Sequence, residues 1–279
     1  MGLLHFILNV AGLLLWVNWR GMGFKEYVPY RSTLIHTLRS AETRPLGRWR
    51  YLAALVGLLA VRGLLYQQVG AALKWVPVID LGVLVVPFRS DQPWRMTLYS
   101  FLGFGVIWLG FQLWLLLLSI VNRCTPDTQS VQHLVRLHLG PVEHWPLALK
   151  LCLPPLTGAL LWLPIHPLLA EIGLLPSAAT FKLVLEQGLV LGLASFLVWN
   201  YLILGILLLH LLNSYVYLGR SPFLDLASDT ARNLLTLIAR LPLRFGRIDF
   251  APVVMGILVW LVAWGFEFAL VALYGKLPL

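Results

Sequence analysis

Three times along this chain an apolar run is followed by a basic, amphipathic linker carrying proline, and then by a second apolar run. The linkers cover residues 18–49, 122–147 and 213–250. Each is too polar to cross hydrocarbon and too regular in its apolar spacing to be plain loop. The apolar runs, at 2–17, 50–70, 96–121, 148–170, 184–212 and 251–274, approach the ~20 residues a helix needs to cross a hydrocarbon core about 30 Å thick. With 59% hydrophobic and only 12% charged residues, the composition excludes a water-soluble domain. The expected fold is an all-α integral membrane protein, a single membrane domain over residues 1–279. It has six transmembrane helices in three helix–amphipathic linker–helix repeats, at 1–70, 96–170 and 184–275. The first run is short, but no positive residue precedes it and no small-residue cleavage site follows, so it reads as a retained helix.

Cations fix the expected orientation, because short cytoplasmic loops collect Lys and Arg. With the N-terminus outside, 15 of the 21 basic residues fall in the three linkers or at their edges. Lys74, Arg89, Arg95, Lys182 and Lys276 lie on the other side and Arg62 lies within a span. Both termini are therefore expected outside and the linkers in the cytoplasm. The net charge of +9 follows from this bias, and a cationic face attracts anionic head groups at about 1 kcal/mol per juxtamembrane cation. No stacking aromatics alternate with these cations, so nucleic acid is not an expected partner.

The linkers share a helical grammar. In the third, Ser221 is a good N-cap and Pro222 suits the first helical position. Leu224, Ala227, Ala231, Leu234, Leu235 and Ile238 recur at helical spacing opposite Asp225, Asp229, Arg232 and Asn233. Pro242 ends this helix, with Arg244 and Arg247 beyond it in reach of lipid phosphates. In the second linker Thr125 caps, Pro126 follows, Val131, Leu134 and Val135 form the stripe, and Gly140-Pro141 stops it. The first has Ser32 as cap, Leu34, Ile35 and Leu38 as stripe, and Pro45 as stop. Asp249, just before a helix opening at Ala251-Pro252, can cap free N–H groups or pair with Arg244 or Arg247.

The third unit, from Ser221-Pro222 through Pro242-Leu243-Arg244 and Arg247 to Asp249-Phe250-Ala251-Pro252, resembles the YggT/YlmG family of small bacterial and plastid membrane proteins. The resemblance is clearest over residues 213–262 and rests on topology elsewhere, with serine standing where the family usually has asparagine. It implies a non-enzymatic protein of the bacterial inner (plasma) membrane, with an organising or accessory role in the envelope. Its basic cytoplasmic face would meet anionic lipid or a protein partner, such as the subunits of a larger membrane complex.

Ionisable residues inside spans are costly and mark pathways or packing locks. Arg62, Glu186 and Glu267 are the three to weigh, all in the outer half of the membrane when counted along their helices. They suggest an ion pair, Arg62 with Glu267 or with Glu186, or else a polar path through a channel or carrier. Cys124 and Cys152 show no zinc spacing, and His133, His138 and His144 do not share a helical face. Serine-hydrolase, phosphate-loop and HExxH signatures are absent, so neither catalysis nor a cofactor is expected.

Residues 71–94 combine Lys74, Asp80 and prolines with the apolar Val83 to Val86. They read as an interfacial or re-entrant hairpin rather than a span. Trp16, Trp19, Trp49, Trp75, Trp94, Trp145 and Trp162 fall near expected interfaces, as anchoring belts do.

Overall fold

The computed structural model describes residues 2–21, 47–73, 75–90, 92–123, 135, 138–176, 180–216, 221–239, 244–245 and 248–277. Most of these residues are helical. The helices are α1 (Gly2–Gly21), α2 (Arg48–Leu73), α3 (Pro93–Val121), α4 (Leu147–Glu171), α5 (Phe181–Ala194), α6 (Leu197–Tyr215), α7 (Pro222–Leu235) and α8 (Ala251–Tyr274). Two short strands, β1 (Val78–Asp80) and β2 (Val85–Pro87), pair between α2 and α3, and β3 (Arg244–Phe245) pairs with β4 (Ile248–Asp249) before α8. Six stretches are long and apolar enough to cross a membrane: Gly2–Gly21, Trp49–Gly70, Pro93–Val121, Leu147–Glu171, Phe181–Tyr215 and Ala251–Tyr274. They coincide with the six expected spans: Ala251–Tyr274 has the expected bounds, and each of the other five runs one to several residues further at one end or both.

The fifth stretch needs a joint. A straight 35-residue helix would be about 52 Å long, well beyond the ~30 Å hydrocarbon core. At Ser195–Phe196 the hydrogen bonds tighten to i→i−3, with Ser195 N to Gly192 O at 3.3 Å, Phe196 N to Leu193 O at 3.1 Å and Trp199 N to Phe196 O at 3.0 Å. The Ser195 hydroxyl also donates to Gly192 O at 2.6 Å, the local serine bond that bends helices in apolar surroundings.

The chain forms two compact units, Met1–Ile79 with Pro87–Trp108, and Asp80–Val86 with Leu109–Leu279. The change from one to the other at Trp108 falls inside α3, within the expected second repeat.

In the first unit α1, α2 and the first half of α3 pack around Leu55, Leu59 and Phe104, with Leu13, Trp16 and Trp108 against them. Small residues allow the approach: a Cβ on Gly12 would meet the Phe104 ring at 2.8 Å, and one on Gly63 would meet Thr97 Cα at 2.8 Å. Residues 75–90, of which Asp80–Val86 belong to the second unit, form a β-hairpin rather than helix. Asp80 Oδ1 accepts from Gly82 N at 2.8 Å and Gly82 takes a positive φ of 84°, the asparagine-or-glycine conformation of a tight turn. The strand alternation buries Ile79 and Val86 and exposes Val78 and Val85.

In the second unit α4 and α5 approach most closely. A Cβ on Gly158 would stand 2.3 Å from Gly192 Cα, and one on Gly192 would stand 2.5 Å from Pro155 O. Gly188 and Gly192 form a G-x-x-x-G pair whose bare face lets the two backbones touch, the packing that replaces the hydrophobic effect where the solvent is itself apolar. Trp162, expected in an interfacial belt, is instead buried here, its Nε1–H reaching Gln187 Oε1 at 3.4 Å. Trp49, Trp94 and Trp145 are exposed as belt residues should be. Reciprocal bonds join α3 to α6, from Trp114 Nε1 to Val198 O at 3.0 Å and from Trp199 Nε1 to Leu113 O at 2.9 Å.

The third linker packs under the helices that flank it. Ser221 caps α7, its Oγ accepting from Leu224 N at 3.2 Å, with Pro222 in the first turn. Ala231 and Ile238 join Ile206 and Leu207 of α6 and Met255 of α8 in one apolar cluster. The β3–β4 hairpin sets Arg244 opposite Asp249, and Asp249 Oδ1 accepts from Ala251 N at 2.9 Å, capping α8. Capping was one of the two roles the sequence allows this aspartate. The helix expected from Ser32 to Pro45 lies outside the described residues, as do Thr125–Leu134 of the second linker helix, Pro242 and Arg247; Val135 of the second stripe is helical and buried.

The glycine contact gives a paired prediction. Gly192→Ala forces a methyl into the α4 backbone and should cost about 1–3 kcal/mol. Gly205→Ala on α6, where a Cβ would meet nothing within 4 Å, should be neutral or stabilise by roughly 0.5–1 kcal/mol. Thermal unfolding of the two variants in detergent checks both.

Candidate functional site

Arg62 is the centre of the first unit's polar layer, and it is completely buried at 0% exposure. It stands on α2, with Asn9 on α1 and Ser100 on α3 facing it. Its Nε donates to Ser100 Oγ at 2.9 Å, its Nη1 donates to Asn9 Oδ1 and its Nη2 donates to the Ser100 carbonyl. Ser100 Oγ passes the chain on, donating to Leu59 O at 2.7 Å. Hydrogen bonds linked in this way polarise one another, and more so where no water competes.

Aromatic rings close the layer on one side. The guanidinium carbon lies 5.5 Å from the centre of the Tyr66 ring, a cation–π contact. Tyr66 meets Trp75 edge-on at 5.5 Å and Tyr99 at 5.8 Å, and Phe88 packs on Tyr99 at 5.5 Å. His5, one turn before Asn9 on α1, bonds through Nδ1 with the Tyr66 hydroxyl at 2.8 Å. Trp75 and Phe88 come from the base of the β-hairpin, where Phe88 N donates to Pro77 O at 2.8 Å. The awkward segment after α2 is thus the cover of the arginine.

A second layer lies in the other unit around the C-terminal turn of α3. Ser119 Oγ donates to Glu143 Oε2 at 2.5 Å and accepts from Lys150 Nζ at 2.8 Å, and Lys150 stands 4.0 Å from the same carboxylate oxygen. Lys150 is only 4% exposed. The arrangement works as an ion-paired knot. One turn on, Asn122 Nδ2 donates to Thr230 Oγ1 at 2.8 Å and Asn122 Oδ1 accepts from Asn233 Nδ2 at 3.0 Å, fastening α7 to the end of α3.

The expected ion pair of Arg62 with Glu267 or Glu186 is corrected by these contacts. Neutral oxygens on α1 and α3 take up the guanidinium, because they stand at matched depth on the helices that touch α2. Glu186 pairs instead with Lys182 one turn earlier on α5 at 3.6 Å, an exposed i, i+4 bridge of little energetic weight. Glu267 is exposed on α8. Of the family-like motif, Ser221 and Asp249 cap helices as above, Pro222 stands in the first turn of α7 and Pro252 is buried in the first turn of α8. Arg244 is described in its backbone only.

Asn9, Ser100, Tyr66, Tyr99 and the Ser119–Glu143–Lys150 knot were not singled out from the sequence. The available signal is the lone polar residue in an apolar span. Asn9 and Ser100 each stand seven residues after the start of their spans, at Gly2 and Pro93, and Arg62 stands eight residues before the end of its own at Gly70, so the alternating chain direction brings all three to similar depth. The chain matches no protein-family model, no curated protein and no solved structure.

Removing one member of the knot should unbalance it. Lys150→Met takes the cation from Glu143 and should cost about 1.5–3 kcal/mol, of which adding Glu143→Gln should restore a substantial part. A double-mutant cycle by thermal unfolding measures the coupling.

Proposed function

We propose that this chain is a non-enzymatic integral membrane protein of YggT-like type, with an organising or accessory role in the bacterial inner membrane. Its cytoplasmic face would be basic and would meet anionic lipid or a protein partner. The observation that carries this reading is the fate of the ionisable groups in the spans. Arg62 is sealed from solvent by its hydrogen-bond partners and the rings over it, whereas a conducting path would need that guanidinium to face water. Glu186, half-buried, pairs with Lys182 on its own helix, and Glu267 is exposed on α8. The docking of α7 on α6 and α8 supports the same reading, since it turns Asp225 and Arg232 outward on a helix that is itself held in place. Arg50 and Arg123 are exposed at other helix ends of the expected cytoplasmic side. Such cations suit phosphate head groups or an acidic partner.

Purification from the native membrane in mild detergent, with mass spectrometry of what co-migrates, tests the role. A stoichiometric partner, together with proteoliposomes no more permeable to ions than empty vesicles, is the expected result. A protein isolated alone that conducts ions, with the flux lost in Arg62→Gln, would replace this reading with a channel or carrier.

A further inference from the structure

Among the described residues two cations are buried, and they are treated differently. Lys150 has the Glu143 carboxylate beside it, while every partner of Arg62 is neutral: an amide oxygen, a hydroxyl and a backbone carbonyl. These spend three of the five guanidinium N–H groups and leave the full positive charge in place. Asn9, 4% exposed, adds a further unspent donor, for its Nδ2 has no partner. Donors therefore outnumber acceptors in a layer that excludes water. Gly103, buried on α3, stands beside them: a Cβ built there would lie 3.8 Å from Arg62 Nη2.

We propose that this layer holds a small monovalent anion of halide size, taken from solution and retained as a resident counter-ion to Arg62. Arg62 Nη1 and Nη2 and Asn9 Nδ2 would donate to it, with Gly103, which carries no side chain, next to Nη2. A lipid head group is too large for a guanidinium with no exposed surface. A water molecule could accept the spare hydrogens but would leave the charge uncompensated in low dielectric. The anion is a static structural element, so its test reads stability and stands apart from the question of flux.

Thermal unfolding of protein purified throughout in chloride, bromide or gluconate at one ionic strength tests this. The expected result is a Tm higher by ~3–6 °C in the halides. Asn9→Asp supplies an internal carboxylate against Nη1 and should abolish the difference while keeping the gluconate Tm at or above that of the unaltered protein. Gly103→Ala, which sets a methyl 3.8 Å from Nη2, an ordinary van der Waals contact, should fold and also lose the halide difference. Equal Tm values for the unaltered protein in all three salts would overturn the proposal. So would an undiminished halide difference in both variants, or a shift produced by anionic lipid and not by halide.

Discussion

No water is available in hydrocarbon to repair a missing hydrogen bond, and this constraint explains most of the choices in the structure. Backbone groups are satisfied within helices, and where the helix is interrupted another donor or acceptor steps in. Four prolines inside α4 remove backbone donors, and the Thr157 hydroxyl donates to the Pro154 carbonyl at 3.1 Å in the stretch they loosen. Ser195 performs a similar service at the joint between α5 and α6, where the tightened turn would otherwise underuse Gly192 O.

The same constraint changes what holds helices together. Burying apolar side chains yields little when the surrounding lipid is equally apolar, so close van der Waals contact and interhelical hydrogen bonds must do more of the work. The structure uses each where the sequence permits it. Gly158, Gly188 and Gly192 bring α4 and α5 together backbone to backbone, while indole N–H groups of Trp114 and Trp199 reach main-chain carbonyls across α3 and α6. Polar side chains are concentrated in layers, because a single unpartnered one is expensive and a linked set shares its acceptors. Ser100 shows the economy of this arrangement: one residue offers two oxygens to Arg62 and sends its own hydrogen to Leu59.

Much of the architecture was legible because hydropathy and capping act locally. The six spans, the Ser221 cap, the apolar stripe of α7 and the Asp249 cap all depend on residues within a turn or two of one another. What the sequence did not reveal depends on neighbours distant in the chain. Arg62 and Asn9 are 53 residues apart and Ser119 and Glu143 are 24 apart, so no periodicity links them. Charge complementarity pointed Arg62 toward Glu186 and Glu267, a sound rule that failed because the nearest oxygens were uncharged. The hairpin after α2 was half visible: its prolines and Asp80 argued against a span, but the role of Trp75 and Phe88 as a cover required knowing that Tyr66 and Tyr99 would be beneath them.

That cover bears on why the arginine is retained in the fold at all. A leucine at position 62 would cost less to insert, but it would leave Asn9 without its acceptor role toward α2 and Ser100 with only its bond to the Leu59 carbonyl. With arginine there, the register of three helices is specified by directional bonds, since shifting α1 or α3 by one residue would strand a buried charge rather than merely loosen an apolar contact. Tyr66 packs over the guanidinium and gains both apolar contact and cation–π attraction, and the hairpin's Trp75 and Phe88 in turn pack on Tyr66 and Tyr99. The hairpin is therefore tied to the arginine through these two tyrosines.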